Sequence, residues 1–169
     1  GMPDADYTNP TANQGRWQHG MSVPHELHWN GKQLIQTPVR ELQSLRTEHA
    51  SRSFAVTCSI QTGTMAELQI ENTGDTFHLA IGDAAELSWS QGLFTLSLSK
   101  EAGFGRTMRY LQLEKLEHLH ILMDTSSLEL FFNNGERVMS TRFYPQNAEK
   151  HSRILTFDGS GSVQQYTLK

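Results

Sequence analysis

From residue 53 onward the apolar residues recur at every second position, the period of strands with one face in a core. Phe54, Val56 and Cys58 alternate with small polar residues, and Phe94, Leu96 and Leu98 alternate with Thr95, Ser97 and Ser99. Further runs cover 65–70, 77–81, 86–89, 107–113, 153–157 and 163–168. Gly63, Asn72-Thr73-Gly74-Asp75 and Gly82-Asp83 punctuate them and predict turns. The pattern is strongest between His118 and Tyr144, where two alternating runs meet at Asn134-Gly135. A type I′ turn needs positive φ at both central residues, which Asn and Gly tolerate best, so a two-residue hairpin is predicted there. That turn sets Leu130 opposite Met139, Leu128 opposite Thr141 and Phe131 opposite Val138. Apolar residues then stand on both faces of the hairpin, and a second layer must cover it. Short strands with turn signals at this spacing predict an all-β fold, an antiparallel two-sheet β-sandwich. The lack of a fixed internal period argues against a propeller within this chain.

Ahead of these strands the pattern changes. Residues 3–20 are polar, with Asn9-Pro10, Asn13 and Gly15 marking irregular chain. Asn30-Gly31 predicts a second hairpin turn, between 25–29 and 33–36. Thr37 before Pro38 reads as an N-cap with proline at the first helical position, opening a short helix to Leu45 with Val39, Leu42 and Leu45 along one side. It is the one helix predicted.

Composition narrows the partners. A chain of 169 residues suffices for one domain with a sizeable core. The net charge of -4 and pI near 6.0 argue against nucleic acid or an anionic membrane, which need a basic field. Mean hydropathy is -0.50, and no run approaches the roughly 20 apolar residues of a membrane span. The start, Met2-Pro3-Asp4-Ala5-Asp6, has no basic region followed by an apolar one, so export is not expected. The single cysteine, Cys58, excludes an internal disulfide and fits a reducing cytoplasmic setting.

Candidate chemistry is sparse. Asp4 and Asp6 form a carboxylate pair in a polar leader, where acids are ordinarily solvated. His118 and His120 point the same way on a strand and offer two metal ligands, but no third ligand stands at a recognisable spacing. Trp29 and Trp89 are aromatic platforms for sugar rings; Leu87 shares the face of Trp89, which favours the core for the latter. Gly103-Phe104-Gly105 reads as a mobile tip, because no strand-to-helix switch with Lys-Ser/Thr follows it to cradle phosphate. Cys58 among apolar neighbours reads as inert packing. Glu129 and Arg142 lie diagonally across the central hairpin and are expected to form an ion pair.

Asp124-Thr125-Ser126-Ser127-Leu128-Glu129-Leu130-Phe131, followed by Asn134-Gly135-Glu136 and by Thr141-Arg142-Phe143-Tyr144-Pro145, resembles a family hallmark, D-x-S-S-[VIL]-E-[VIL]-F…N-x-G-E…T-x-R-x-[YF]-P. The family is glycoside hydrolase family 32, the sucrose-6-phosphate hydrolases and β-fructofuranosidases (invertases), and the hallmark lies in their C-terminal β-sandwich. Thr125 stands where the hallmark usually has Arg. Upstream, Met2–Asp6 and Trp17-Gln18-His19-Gly20-Met21-Ser22-Val23-Pro24-His25-Glu26-Leu27 resemble the end of that family's last propeller blade, W-x-H-x-[LM]-[ST]-x-P-R-E-L, with His25 in place of its Arg. The match continues through Gly31-Lys32 and Thr37-Pro38-Val39-Arg40-Glu41-Leu42, the family's connection into the sandwich.

The resemblance divides the chain into a blade remnant and first hairpin strand at 1–30, a linker with the short helix at 31–50 and the sandwich at 51–169. It implies a jelly-roll or concanavalin-like outline. In the family a retaining hydrolysis of terminal β-fructofuranosides uses propeller motifs N-D-P-N-G, R-D-P and E-C. Here no Asp-Pro and no Glu-Cys occurs, so no catalytic residue carries over, no substrate-binding residue is assigned and no cofactor is called for. The hallmark residues Asp124, Ser126, Ser127, Glu129, Phe131, Asn134, Gly135, Glu136 and Arg142 are expected to be structural. Two functions follow: a non-catalytic support and association domain, partnered by a missing propeller or by a second copy in a homodimer; or a carbohydrate-binding module with weak affinity for sucrose or fructans.

Overall fold

The computed structural model describes residues 20–105, 107–145 and 152–169. The leader with Asp4, Asp6 and Trp17 lies outside the described residues. Twelve strands follow one another: β1 His25–Trp29, β2 Leu34–Pro38, β3 Arg46–Phe54, β4 Cys58–Gly63, β5 Ala66–Ile81, β6 Ala85–Ser90, β7 Leu93–Leu98, β8 Met108–Gln112, β9 His118–Met123, β10 Ser127–Phe132, β11 Arg137–Arg142 and β12 Ser152–Leu168. β1 and β2 make a separate hairpin, and the other ten share one antiparallel sheet that folds over on itself.

It folds over because β5 and β12 are long enough to serve two layers. The first half of β5 pairs with β9 and its second half with β6, while β12 runs beside β5 and hands one half to β3 and the other to β4. One layer is therefore β11-β10-β9-β5-β12-β3 and the other β8-β7-β6-β5-β12-β4. The corner is a bulge: the register steps from Phe77 opposite Gly159 to Asn72 opposite Gly161, so Ser160 alone faces four residues of β5. Extra residues on one strand sharpen its twist and let it turn between layers. A Cβ on Gly161 would overlap the Glu71 carbonyl. Asn72, buried at the kink, donates to the carbonyls of Gly74 and of Leu116 in the β8–β9 connection.

The two layers enclose the apolar alternation read from the sequence. Leu68, Ile70, Ile121, Leu128 and Leu130 point in from the first layer and Leu79, Leu87, Phe94 and Leu96 from the second. Phe94 and Phe132 meet edge to face, with ring centroids 4.6 Å apart. Each such side chain contributes about 1.5–3 kcal/mol by leaving water. Trp89 is in this core, its indole N–H donating to the Leu113 carbonyl at 2.8 Å, and Cys58 packs against it.

Several local expectations change. Asn72-Thr73-Gly74-Asp75 and 158–162 do not end strands; they bend β5 and β12 in mid-course, because pairing on both sides outweighs local turn chemistry. The chain turns at 55–57, between β3 and β4, so Phe54, Val56 and Cys58 do not share a strand, and Val56 is exposed. Pairing in the large sheet begins at Arg46, opposite Leu168, inside the stretch read as linker. That strand is an edge bonded only to β12; from Thr47 to Ser53 it is exposed and bears no alternation, and only Phe54 at its end reaches the core.

The central hairpin has the predicted register, Leu130 to Met139, Leu128 to Thr141 and Phe131 to Val138. Its loop is longer than the two-residue turn, with Asn133, Asn134 and Gly135 all at positive φ before Glu136 N–H reaches the Phe132 carbonyl. At the first hairpin Trp29 pairs with Leu34, leaving a four-residue loop rather than the two-residue turn at Asn30-Gly31. Asn30 Oδ1 shapes it by accepting from the Lys32 and Gln33 amides. Thr37 and Pro38 end β2 instead of opening a helix; the turn that follows, Arg40–Leu45, is 3-10 and buries no residue. A short helix does form elsewhere, α1 at Lys100–Gly103, capped by Ser99 Oγ accepting from Ala102 N–H. Gly103 is buried and Phe104 packs edge to face on Tyr144, so Gly103-Phe104-Gly105 is not a free tip.

Candidate functional site on the outer face of the first layer

Registers define the outer face of β11-β10-β9-β5-β12-β3 row by row. One row reads Ser140, Glu129, Leu122, Glu67, Tyr166, His49 across six strands, and the next Val138, Phe131, His120, Gln69, Gln164, Ser51. A third brings His118 opposite Glu71. The alternation that fills the core on one side thus lays carboxylates, histidines and one phenylalanine on the other. Glu67 and Glu129 are each only 3% exposed.

Buried carboxylates need partners. Glu67 takes a bidentate pair from Arg46, Nε at 2.7 Å and Nη2 at 2.6 Å, with His120 Nε2 at 2.8 Å and Gln69 Nε2 at 3.1 Å. Burial alone would push its carboxyl up, but the hydrogen bonds from His120 and Arg46, with their charges, outweigh it and hold the group at about 2. The same hydrogen bond raises Arg46 against its burial. The Arg46 guanidinium also lies over Tyr166, 4.0 Å from the ring centroid, and Tyr166 stacks on His49.

Glu129 anchors the segment that enters β1. It accepts from Val23 N–H at 2.8 Å, and His25 Nε2 lies 3.4 Å away, with Gln36 Oε1 on the other ring nitrogen. Glu129 therefore pairs with His25 and not with Arg142 as expected; Arg142 donates to Ser126 Oγ across the turn. Phe131 sits between His25 and His120, at ring distances of 5.1 and 5.7 Å. Gly135 completes the seat: at φ 95° it lies under Gln36, whose carbonyl a Cβ would overlap.

The remaining hallmark residues hold the turn that joins β9 to β10. The Asp124 carboxylate accepts from Thr125 N–H, and Ser127 opens β10 opposite Arg142. Glu136 closes the β10–β11 loop and is exposed. Arg153, which sequence reading passed over, is buried and donates to the carbonyls of Thr64, Asp124 and Thr125. Its only sequence signal is a charge where β12 alternation requires an inward residue.

A hollow of about 220 Å³ lies between β2 and this face, bordered by Pro38, Phe131, Gln69, Glu71, His118 and Asn134. His118 Nδ1 meets Glu71 at 2.6 Å. Neither Glu67 nor Glu129 lines the hollow. Leu122 stands between those two acids in their row, which puts their strands about 9–10 Å apart. A general acid needs a raised pKa, and Glu67 is held the other way. Among the described residues no group of three His, Cys, Asp or Glu is placed to hold a metal, and His118 and His120 each face a carboxylate. No described helix is long and apolar enough to cross a membrane.

Among the described residues β1 pairs only with β2. Leu27 and Trp29 are each 62% exposed and Leu34, opposite Trp29, 47%.

Fold and face together define an all-β sandwich with the β1-β2 hairpin seated on its first layer. The chain belongs to the family described as glycosyl hydrolases family 32 C terminal, whose model matches residues 31–169. It is 30% identical to the sucrose-6-phosphate hydrolase of Bacillus subtilis over 154 residues, covering 85% of this chain and 32% of the relative. With the sucrose-6-phosphate hydrolase of Klebsiella pneumoniae it shares 34% identity over 155 residues, 86% of this chain and 30% of the relative. The solved sucrose-6-phosphate hydrolase of Lactobacillus gasseri superposes with a TM-score of 0.83 at 20% identity, over 98% of this chain and 37% of that one. The chain thus spans about a third of the length of the curated relatives it matches.

Proposed function

We propose that this chain is the non-catalytic C-terminal sandwich of a β-fructofuranoside hydrolase, and that it supports and docks the catalytic two-thirds of such an enzyme. The parent reaction is retaining hydrolysis of terminal β-fructofuranosides such as sucrose 6-phosphate. The observation that carries this is the hairpin. β1-β2 is fixed to the sandwich through Glu129, Phe131 and Gly135, yet turns an apolar strip of Leu27, Trp29 and Leu34 outward beside a strand edge that no described strand pairs. Exposed apolar surface beside unpaired strand groups marks an interface. The hallmark then serves structurally: it seats the hairpin that meets the partner. Cys58, the sole cysteine, supports a place in the reducing cytosol.

Analytical ultracentrifugation of this chain with a sucrose-6-phosphate hydrolase lacking its C-terminal third tests the proposal. A one-to-one complex is expected, weakened at least about tenfold by the paired change Leu27→Asp and Trp29→Asp. Failure to associate, self-association in place of the complex, or indifference to the paired change contradicts it.

A further inference from the structure

A second groove, of about 660 Å³, adjoins the hollow beneath the hairpin, and His118 and Asn134 line both. The groove runs between the β1–β2 loop, the β8–β9 connection and the β10–β11 loop. Its size falls in the range of small-molecule sites. Its walls are fixed from within. Asn133 Oδ1 accepts from the Glu117 and His118 amides and Nδ2 donates to the Lys115 carbonyl, tying the β8–β9 connection to the β10–β11 loop. Arg137 donates to Gln33 Oε1 at 3.2 Å, tying in the first hairpin. At the junction Asn134 holds a left-handed backbone, φ 58°, with its side chain exposed.

The lining chooses the ligand class. Lys32, Lys115 and Arg137 face Glu114, Glu117 and Glu136, so the groove offers donors and acceptors with no net charge. That balance disfavours a nucleotide or other anion, and the near absence of apolar walls disfavours an acyl chain or apolar peptide. The hollow differs: it sets the Phe131 ring and Pro38 against Gln69, Glu71 and His118, an apolar wall with a polar rim. Its volume is that of roughly seven waters, enough for one sugar ring. A sugar has an apolar ring face and hydroxyls that both donate and accept, which amides, imidazole and carboxylates together satisfy.

We propose that hollow and groove form a binding site for a neutral saccharide, with one ring against Phe131 and Pro38 and further units along the groove. This site is separate from the docking edge of β1 and does not depend on the docking proposal. Titration of the isotopically labelled chain with sucrose, 1-kestose and sucrose 6-phosphate, followed by amide NMR, tests it. Saturable shifts centred on His118, Asn134 and Arg137 are expected. Asn134→Gly keeps the left-handed backbone but removes the amide, and Glu71→Gln keeps the shape but removes the charge; each is expected to weaken binding by about fivefold or more. Sucrose 6-phosphate is expected to bind within about tenfold of sucrose. No saturable shift, shifts centred elsewhere, normal binding by both variants, or a phosphate preference beyond about tenfold overturns the proposal.

Discussion

Glu67 shows what a single buried charge does on this face. Its folded value of about 2 lies below the ordinary 4.5, so the stability it adds is fully present above 4.5 and is lost as pH falls toward 2. The gap corresponds to about 3 kcal/mol. Glu67→Gln is expected to lower stability at pH 7 by roughly 2–4 kcal/mol and to flatten the acid limb between those values. Urea denaturation at stepped pH reads both, and an unchanged acid limb contradicts the assignment. None of this was legible in the sequence. Glu67 falls in the run 65–70 with nothing local to single it out, and its partners Arg46 and His120 stand 21 and 53 residues away. Glu129 was legible as a site but not in its partner, because the imidazole that meets it comes from a hairpin 104 residues upstream.

Among elements, the two hairpins divide what sequence can and cannot tell. Period-two alternation fixed the β10–β11 register, since a slip of one residue would have turned Leu128 and Leu130 out of the core. Loop length escaped because Asn-Gly is equally at home in a two-residue turn and in a longer loop with several left-handed residues. The reason for Gly135 is tertiary: the Gln36 backbone lies against it. Gly135→Ala combines that overlap with a positive φ and is expected to cost about 1–3 kcal/mol. Hydrogen exchange should then quicken in β2 while β10 and β11 stay protected. Equal loosening of all three strands would show that the loop supports the sheet rather than the hairpin. Before Phe54 the strand β3 carried no pattern to read, and the continuity of β5 and β12 was hidden under turn-like residues at the corner.

For the whole molecule, the all-β sandwich was legible because alternation over many short runs admits few architectures, and the hallmark resemblance pointed to the family that the match over 31–169 confirms. The doubled sheet explains how one core serves both layers, and the seated hairpin brings His25 to the buried Glu129 on the outward side of the first layer. In that arrangement neither of the two buried acids opens on the hollow. The most direct test is fructose release by this chain alone from sucrose and sucrose 6-phosphate. We expect release no faster than in buffer; reproducible, protein-dependent release from either sugar would contradict a non-catalytic sandwich.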